Sequence, residues 1–165
     1  MVDVSKALTS QNNVSAYAPD VRVPFVIQET FTAAQFIAAK GSAIAAADVY
    51  DLIRVPANTV ILGVWAQKTA AFAGTSTDLT LDIGITGVDA DIYTNDWAFD
   101  DAALNSYAPV GAGLTDYGTF SASSSVISAL VATQTGTWTG GSFTLYVELL
   151  DLNASGTAGI VALGS

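Results

Sequence analysis

The alternation of apolar and polar residues in short segments restricts the fold of this chain more than any other feature. In segment 78–86, leucine and isoleucine occupy every second position, with aspartate, threonine and glycine between them. A similar alternation runs from Val21 to Phe31 and again through segment 142–152. Because successive side chains of a β-strand point to opposite faces, a period of two predicts strands that each bury one face.

Two apolar runs, 48–55 and 59–69, are separated by the Pro-Ala-Asn sequence at 56–58. This separation predicts two antiparallel strands joined by a tight turn. Two further strands are predicted at about 118–122 and 126–132. Strands therefore account for most of the patterned part of the chain.

The run 59–69 is apolar on both of its predicted strand faces. One face carries Val60, Leu62, Val64 and Ala66, and the other carries Ile61 and Trp65. A strand that is apolar on both faces is covered on both, either by its own chain or by a partner.

Residues 33–47 are the only segment that could be helical. The segment is rich in alanine, but Gly41 and Ser42 interrupt it, so a short helix and an irregular link both remain open. Long connections here and at 87–117 favour a Greek-key or jelly-roll arrangement over a simple meander. The sequence therefore predicts an all-β fold, a jelly-roll-like antiparallel β-sandwich.

The sequence divides into three predicted regions. Residues 1–19 are polar, lack periodicity and end at Pro19, so we expect an extended N-terminal arm that orders on a neighbour. Residues 20–153 form the β-sandwich domain, in which Pro24 favours an edge position for the first strand. The small-residue segment 154–165 forms a C-terminal tail.

The absence of cysteine and histidine limits the chemistry that this chain can perform. It removes disulfides, thiolate metal sites, the commonest general base and the commonest zinc ligand. Fifteen acidic and five basic residues give a net charge of −10, so we expect neither nucleic acid nor an anionic membrane as a partner. No apolar run reaches the roughly 18 residues that a membrane-spanning helix needs.

Charged residues make up only 12% of the chain, while apolar residues reach 51%. An ordinary soluble domain carries about 25% charged residues. This chain therefore has little polar material with which to cover a monomer, and we expect part of its surface to be buried against other copies or another protein.

Segment 87–101 places aspartates around aromatic residues and is predicted as a loop. One interpretation is a calcium site formed by Asp89, Asp91 and Asp96, because Ca²⁺ prefers hard oxygen ligands. The spacing lacks the glycine and the terminal glutamate of an EF-hand loop. We favour the alternative, a solvated loop that holds neither a metal nor any other cofactor.

Two other groups of residues could form sites. Asp82 and Glu148 lie on polar faces of predicted strands, and a facing pair of carboxylates could hydrolyse a glycosidic bond. Outward carboxylates on strands are usually solvated charges, so we expect no enzymatic activity. Trp65, Trp97 and Trp138 could form a platform on which sugars stack, as in a lectin.

Tryptophans of a sandwich lie more often in its core or in an interface than in a sugar site. Trp138 belongs to the segment GTWTGG, a predicted hairpin tip where burial inside its own sandwich is difficult. Trp138, together with Trp65 and Ile61, is therefore predicted to contact another chain.

The segment DLIRVPANTVILGVWAQKTAAFAGTSTDLTLDIGI, residues 51–85, combines a strand, a VPANTVI turn, a Gly/Ser/Thr-rich hairpin and a TLDIG strand. An acidic D-x-D stretch and the strand FTLYVELLDL follow. Over residues 48–152 this order resembles the small, acidic, cysteine-free jelly-roll proteins that decorate or cement the capsids of tailed phages, particularly cyanophages and marine phages. The resemblance lies in the order of strands and turns, so it assigns no role to a single residue.

The resemblance implies a homotrimer that is made in the host cytoplasm, lies on the capsid surface of the virion and binds the major capsid protein. Residues 1–19 or the Trp138 hairpin are then expected to contact the shell, while the acidic loops face solvent. The main alternative is a head- or tail-fibre module that binds a host surface glycan through exposed aromatic residues. A third hypothesis, a hydrolase, requires an activity that a single Asp or Glu substitution abolishes.

Overall fold

The computed structural model of the chain describes residues 2–6, 24–109 and 119–152. The predicted tail 154–165 and residues 7–19 of the predicted arm lie outside these ranges. The described strands and helix are β1 (Val2–Lys6), β2 (Phe25–Thr32), α1 (Ala33–Lys40), β3 (Val49–Val55), β4 (Thr59–Gly74), β5 (Asp78–Ile85), β6 (Asp89–Ala98), β7 (Thr119–Ser121), β8 (Ser125–Thr135) and β9 (Trp138–Asp151).

The strands form two sheets packed as a sandwich, with the orders β1-β3-β8-β5-β6 and β2-β9-β4-β7. From β2 onward every connection crosses from one sheet to the other except the one between β5 and β6. This alternation, with four strands on each side, is the arrangement of a jelly roll. The predicted jelly-roll-like β-sandwich is confirmed, and β1 adds a parallel strand beside β3 at one edge.

Most of the predicted strands are confirmed, because their alternation places one residue set between the sheets. Strand β5 buries its leucine and isoleucine side chains completely or almost completely. Strand β2 pairs with β9 in unbroken register from Phe25↔Leu149 to Thr32↔Ser142. The described part of the first strand begins at Phe25, and the predicted residues 21–23 lie outside the described ranges.

A β-bulge in β4 overturns the predicted faces of that strand. Ile61 pairs with Leu149, and Gly63 pairs with Glu148, so Leu62 is an extra residue in β4. An extra residue reverses the order of inward and outward side chains on one side of the bulge. Ile61 therefore shares the buried face with Val64 and is 1% exposed, so the prediction that it shares a face with Trp65 is wrong.

The segment 33–47 is helical in its first half only. Thr32 caps the N-terminus of α1 by accepting a hydrogen bond from the Gln35 amide, and the Gln35 side chain accepts one from the Thr32 amide in return. Gly41 ends the helix in the left-handed conformation, with φ of 73°. Phe36 lies on the inner face of the helix and is completely buried.

The acidic segment predicted as a loop is largely a strand. Strand β6 pairs with β5 through Leu81↔Trp97 and Ile83↔Thr94. Gly84 permits this approach, because a Cβ at that position would lie 2.1 Å from the Asp89 carbonyl oxygen. The many aspartates concealed the strand signal, since they interrupt the apolar positions that point into the core.

A cluster of aromatic side chains fills one end of the sandwich. The rings of Phe36 and Phe143 lie at its centre, 6.1 Å apart between their centroids. The Phe143 ring also contacts those of Phe31, Trp97 and Phe99, and the Phe36 ring also contacts those of Phe31, Tyr50 and Trp138.

Candidate interaction face

The outer face of the sheet formed by β2, β9 and β4 carries large apolar side chains that the sandwich leaves uncovered. Val26 is 54% exposed. We call this surface the outer aromatic face; its side chains that are half-buried or exposed are Val26, Val60, Trp65, Tyr146 and Leu150. Trp65 and Tyr146 lie directly opposite each other on neighbouring strands, where side chains share one face of the sheet.

Gly63 makes room for the Trp65 ring, because a Cβ at position 63 would lie 2.5 Å from Cζ3 of that ring. The ring therefore packs against the backbone of its own strand. Because the backbone of β4 holds this orientation, little side-chain freedom remains to be lost when a partner covers the ring.

Gln67 joins the aromatic residues of this face. The Tyr146 hydroxyl donates to Oε1 of Gln67 at 3.3 Å, and Nε2 of Gln67 donates to the Asn105 carbonyl oxygen at 3.1 Å. Tyr107, which is 57% exposed, forms an antiparallel bridge with Gln67. Side chains of bridged residues lie on the same side, so Tyr107 extends the outer aromatic face beyond β4.

Charge is distributed unevenly between this face and the opposite sheet. Among the described residues of β2, β9 and β4, Glu148 is the charged residue whose strand position places it on the outer aromatic face. The acidic residues of strands β5 and β6 and of the turn after β6 are Asp78, Asp82, Asp89, Asp91, Asp96, Asp100 and Asp101. One side of the molecule is therefore poor in charge, while strands β5 and β6 carry a strongly negative edge.

The predicted calcium ligands lie on strand β6. Asp89 and Asp91 lie near its start, and the Asp91 amide donates to Oδ1 of Asp89 at 3.3 Å. The strand is irregular between Asp91 and Asp96, because the successive pairs Ile85↔Asp89 and Ile83↔Thr94 leave extra residues in β6 and Asp96 has a φ of 50°. Within residues 2–6, 24–109 and 119–152, no group of three or more carboxylate side chains is placed to hold a metal ion.

Asp82 is the buried carboxylate of this acidic edge. It is 7% exposed, and its Oδ1 accepts a hydrogen bond from the Asp96 amide at 2.7 Å. Burial raises the pKa of Asp82, the hydrogen bond from Asp96 opposes that shift, and the negative charge of Asp96 adds to it. The ionised form is therefore less favourable in the folded protein than in the unfolded chain.

Replacing Asp82 by asparagine should raise the melting temperature at pH 7. A carboxyl group with a raised folded-state pKa destabilises the fold at pH values above that pKa, and this cost disappears as pH falls through it. The advantage of Asp82→Asn over the unmodified protein should therefore shrink on acidification from pH 7 to below 3.8, the ordinary pKa of an aspartate. Thermal unfolding measured at a series of pH values checks this expectation.

Asp78→Asn is the matched control, because Asp78 lies on the same strand, is exposed, and its substitution changes the net charge equally. It should leave the melting temperature almost unchanged. An equal gain for both variants would attribute the effect to net charge and contradict the role of Asp82 burial.

Lys68 is a buried residue that sequence analysis did not single out. It is 3% exposed, and its Nζ donates to the carbonyl oxygens of Phe99 and Ala102 at 2.7 Å and of Asp100 at 3.4 Å. The ammonium also lies 5.1 Å from the centroid of the Phe99 ring. A signal was present, because Lys68 continues the alternation of Val64 and Ala66 on the inward face.

Burial lowers the pKa of Lys68, while the negative charges of Asp100 and Asp101 oppose this shift. The ammonium thus holds the acidic turn after β6 against the sandwich through backbone carbonyls.

The structure does not bring the other predicted site residues together. Asp82 lies on the outer side of the five-stranded sheet and Glu148 on the outer side of the other, so the sandwich separates the two carboxylates. Trp97 and Trp138 are each 2% exposed. A sugar platform of three tryptophans is therefore wrong, and Trp65 is the tryptophan that remains at the surface.

The prediction that Trp138 lies exposed at a hairpin tip is also wrong. The tip consists of Gly136 and Thr137, and the Thr75 and Ser76 amides both donate to the Thr137 carbonyl oxygen. Strands β8 and β9 belong to different sheets, so the predicted hairpin is a connection across the end of the sandwich, and Trp138 enters the aromatic cluster. Its Nε1 donates to the Gly140 carbonyl oxygen at 2.9 Å, which satisfies the buried indole.

No protein-family model and no curated protein matches the chain. Among solved structures, a chain of the cyanophage Pam1 capsid asymmetric unit superposes with a TM-score of 0.56 at 19% identity, covering 79% of this chain and 86% of that chain. A chain of the Ralstonia phage GP4 capsid gives 0.52 at 17% identity, covering 91% and 98%. A chain of the acidic stable capsid structure of Helicobacter pylori bacteriophage KHP30 gives 0.50 at 16% identity, covering 79% and 90%.

The described residues include no helix that is long and apolar enough to cross a membrane. At identities of 19% and below, the three capsid chains establish a shared fold. The jelly roll of this chain is therefore a fold that also occurs in chains of phage capsids.

Proposed function

We propose that this chain is a structural component of a phage capsid, a decoration or cement subunit that docks on the shell through the outer aromatic face. The observation that carries the proposal is an aromatic surface on which Glu148 is the charged residue among the described strand positions, on a chain with a net charge of −10. A domain that keeps most of its charge away from one apolar sheet face has a face suited to burial against another protein. The fold shared with phage capsid chains supports the shell as that partner.

The proposed mechanism is adhesion across a joint between shell subunits. A stable interface buries about 800 Å² on each partner. Eight paired residues on each of β2, β9 and β4 present a flat area of roughly 26 by 14 Å, a little under half of that value, and the loop carrying Tyr107 adds to it. Trp65 and the two tyrosines supply the aromatic contacts that dominate most interfaces. The acidic edge of β5 and β6 faces solvent in this arrangement and keeps the particle surface soluble.

The finer assignment is a homotrimer on the outer capsid surface, with the major capsid protein as its partner. Three copies arranged around one axis engage the shell together, so modest individual contacts combine into tight binding. A mass close to three times 16.9 kDa in light scattering would support the trimer. A mass of one subunit at high protein concentration would contradict the trimer. The docking face would then be tested separately.

Replacing Trp65 by alanine should weaken binding to capsids that lack this protein. Removal of an aromatic hot spot costs about 2 kcal/mol or more, which corresponds to a loss of roughly 30-fold in affinity. Folding should persist, because Trp65 lies outside the aromatic cluster of the core. Binding is measured by co-sedimentation of the purified variant with stripped capsids.

Val88→Ala is the control, because Val88 is 77% exposed and lies in the turn between β5 and β6. This variant should bind capsids as the unmodified protein does. Unchanged binding by Trp65→Ala would exclude the outer aromatic face as the docking surface.

One observation favours a second candidate function. Aromatic rings beside an amide side chain, as with Tyr107, Tyr146 and Gln67, can bind sugars by stacking and hydrogen bonding. A fibre module that recognises a host glycan would give reproducible hits on a glycan array, and Trp65→Ala would abolish them. A decoration subunit should give none.

A further inference from the structure

Strand β1 is joined to the sandwich in an unusual way. It pairs in parallel with β3, through Val2↔Tyr50, Asp3↔Asp51 and Lys6↔Ile53. The strand that follows it, β2, belongs to the other sheet. Strand β1 is therefore held in its sheet by pairing with β3 on one side.

Without β1, strand β3 would be the edge strand of its sheet. Its Tyr50, Leu52 and Val55 side chains are completely buried. The backbone groups that point to this side, on every second residue of β3, would then be unpaired, which is a site for aggregation. The edge of β3 is thus an acceptor for a strand, and residues 2–6 have the backbone that fills it.

The connection between β1 and β2 is much longer than the gap that it crosses. Lys6 pairs near the end of β3, and β3 passes to β4 through residues 56–58 only. Phe25 lies at the same end of the sandwich, because its partner Leu149 also pairs with Ile61 near the start of β4. The two sheets are about 10 Å apart, so the gap is of the order of 10–20 Å.

Residues 7–24 supply 18 residues for this gap. A chain of that length can span up to about 60 Å. The diameter expected for a domain of this size is about 40 Å. The connection can therefore carry residues 2–6 to the β3 edge of an adjacent copy as readily as to its own.

We infer that residues 2–6 act as an exchanged strand, which fills the β3 edge of a neighbouring copy of this chain in the assembled oligomer. The inference rests on the self-association included in the proposed function. The same β1–β3 pairing forms within one chain and between two chains, so the balance depends on local concentration. Copies held side by side reach effective concentrations in the millimolar range, where exchange competes with internal pairing. Each exchanged strand then ties one subunit to the next.

The absence of cysteine makes a direct test possible. The double variant Asp3→Cys/Asp51→Cys places thiols on paired residues of strands about 4.8 Å apart, within the range of a disulfide. Oxidation of the assembled oligomer followed by a non-reducing gel separates the two pairings. Exchange between copies gives covalent oligomers, whereas pairing within one chain gives a cross-linked monomer.

The control Asp3→Cys/Thr133→Cys carries its second thiol at an exposed position of β8, away from the β1 register, and should give no covalent oligomer. Covalent oligomers in the first variant alone support exchange. Strand exchange is contradicted if the first variant gives only monomers, if both variants give equal amounts of oligomer, or if both variants keep free thiols. A second check mixes the two single variants Asp3→Cys and Asp51→Cys before assembly, because a disulfide between them can form only across chains.

Failure of this inference is distinguishable from failure of the proposed function. If the protein forms covalent oligomers but does not bind stripped capsids, strand exchange is supported and the proposed capsid role is contradicted. If the protein binds stripped capsids but forms only cross-linked monomers, the proposed capsid role is supported and strand exchange is contradicted.

Discussion

Replacing Trp138 by alanine should lower the free energy of unfolding by about 3–5 kcal/mol, equivalent to a fall in melting temperature of roughly 10 °C. Trp138 is 2% exposed, and its ring centroid lies 5.5 Å from that of Phe36 and 5.3 Å from that of Phe99. Truncation leaves a cavity between helix α1 and strand β9, and the rigid ends of both sheets cannot close it. Denaturant unfolding followed by fluorescence and circular dichroism measures the loss.

Comparison with two other variants separates a core role from an interface role. Trp138→Phe keeps an aromatic ring and should cost less than half as much as the alanine variant. Trp65→Ala should show the opposite balance, with a small loss of stability and a large loss of capsid binding. A Trp138→Ala protein that keeps its stability but loses binding would contradict its place in the core.

Replacing Lys68 by methionine should cost about 2–4 kcal/mol of stability. Methionine has a similar length but donates no hydrogen bond, so the carbonyl oxygens of Phe99 and Ala102 lose the donor that satisfies them. The contact between the ammonium and the Phe99 ring is lost at the same time. The effect should be concentrated in the turn after β6, where faster amide hydrogen exchange at Ala102 and Asn105 would reveal local opening.

Lys40→Met is the matched control, because it removes the same charge from a lysine whose ammonium binds the Asp48 carboxylate in a partly exposed position. A partly exposed ion pair of this kind contributes about 1 kcal/mol or less. The hydrogen-exchange change near Ala102 should be absent in this control. Equal costs for the two variants, without a local change near Ala102, would show that the carbonyl contacts of Lys68 contribute little.

Both variants concern residues whose position the sequence pattern alone could not settle. Trp138 lies next to glycines, a context typical of an exposed turn, and its burial depends on the contact of residues 75–76 with the Thr137 carbonyl oxygen. Lys68 continues an inward alternation, but a lysine in that pattern is usually taken to mark the end of the buried face. Only the carbonyl groups of a turn about 30 residues later explain why a lysine is stable there.

The candidate interaction face was predictable in part. Trp65 was predicted to contact another chain, and the structure leaves it half-buried on an outer face, so the contact itself remains a prediction. The prediction that Ile61 shares a face with Trp65 failed because the bulge at Leu62 changes the direction of the side chains before it. Tyr107 and Tyr146 were not singled out, because their proximity depends on the pairing of β4 with β9 and on the bridge of Tyr107 with Gln67.

Alternation with a period of two was sufficient to predict most of the strands and the sandwich, because each strand buries its apolar side whichever strand lies beside it. The long connections added the jelly-roll class. The same local pattern carries no information on contacts between distant segments. The parallel position of β1, the strand formed by the acidic segment, the bulge in β4 and the cavity-filling role of Trp138 all depend on such contacts. These features depend on how the two sheets pack, because packing determines which backbone and side-chain groups lose contact with water.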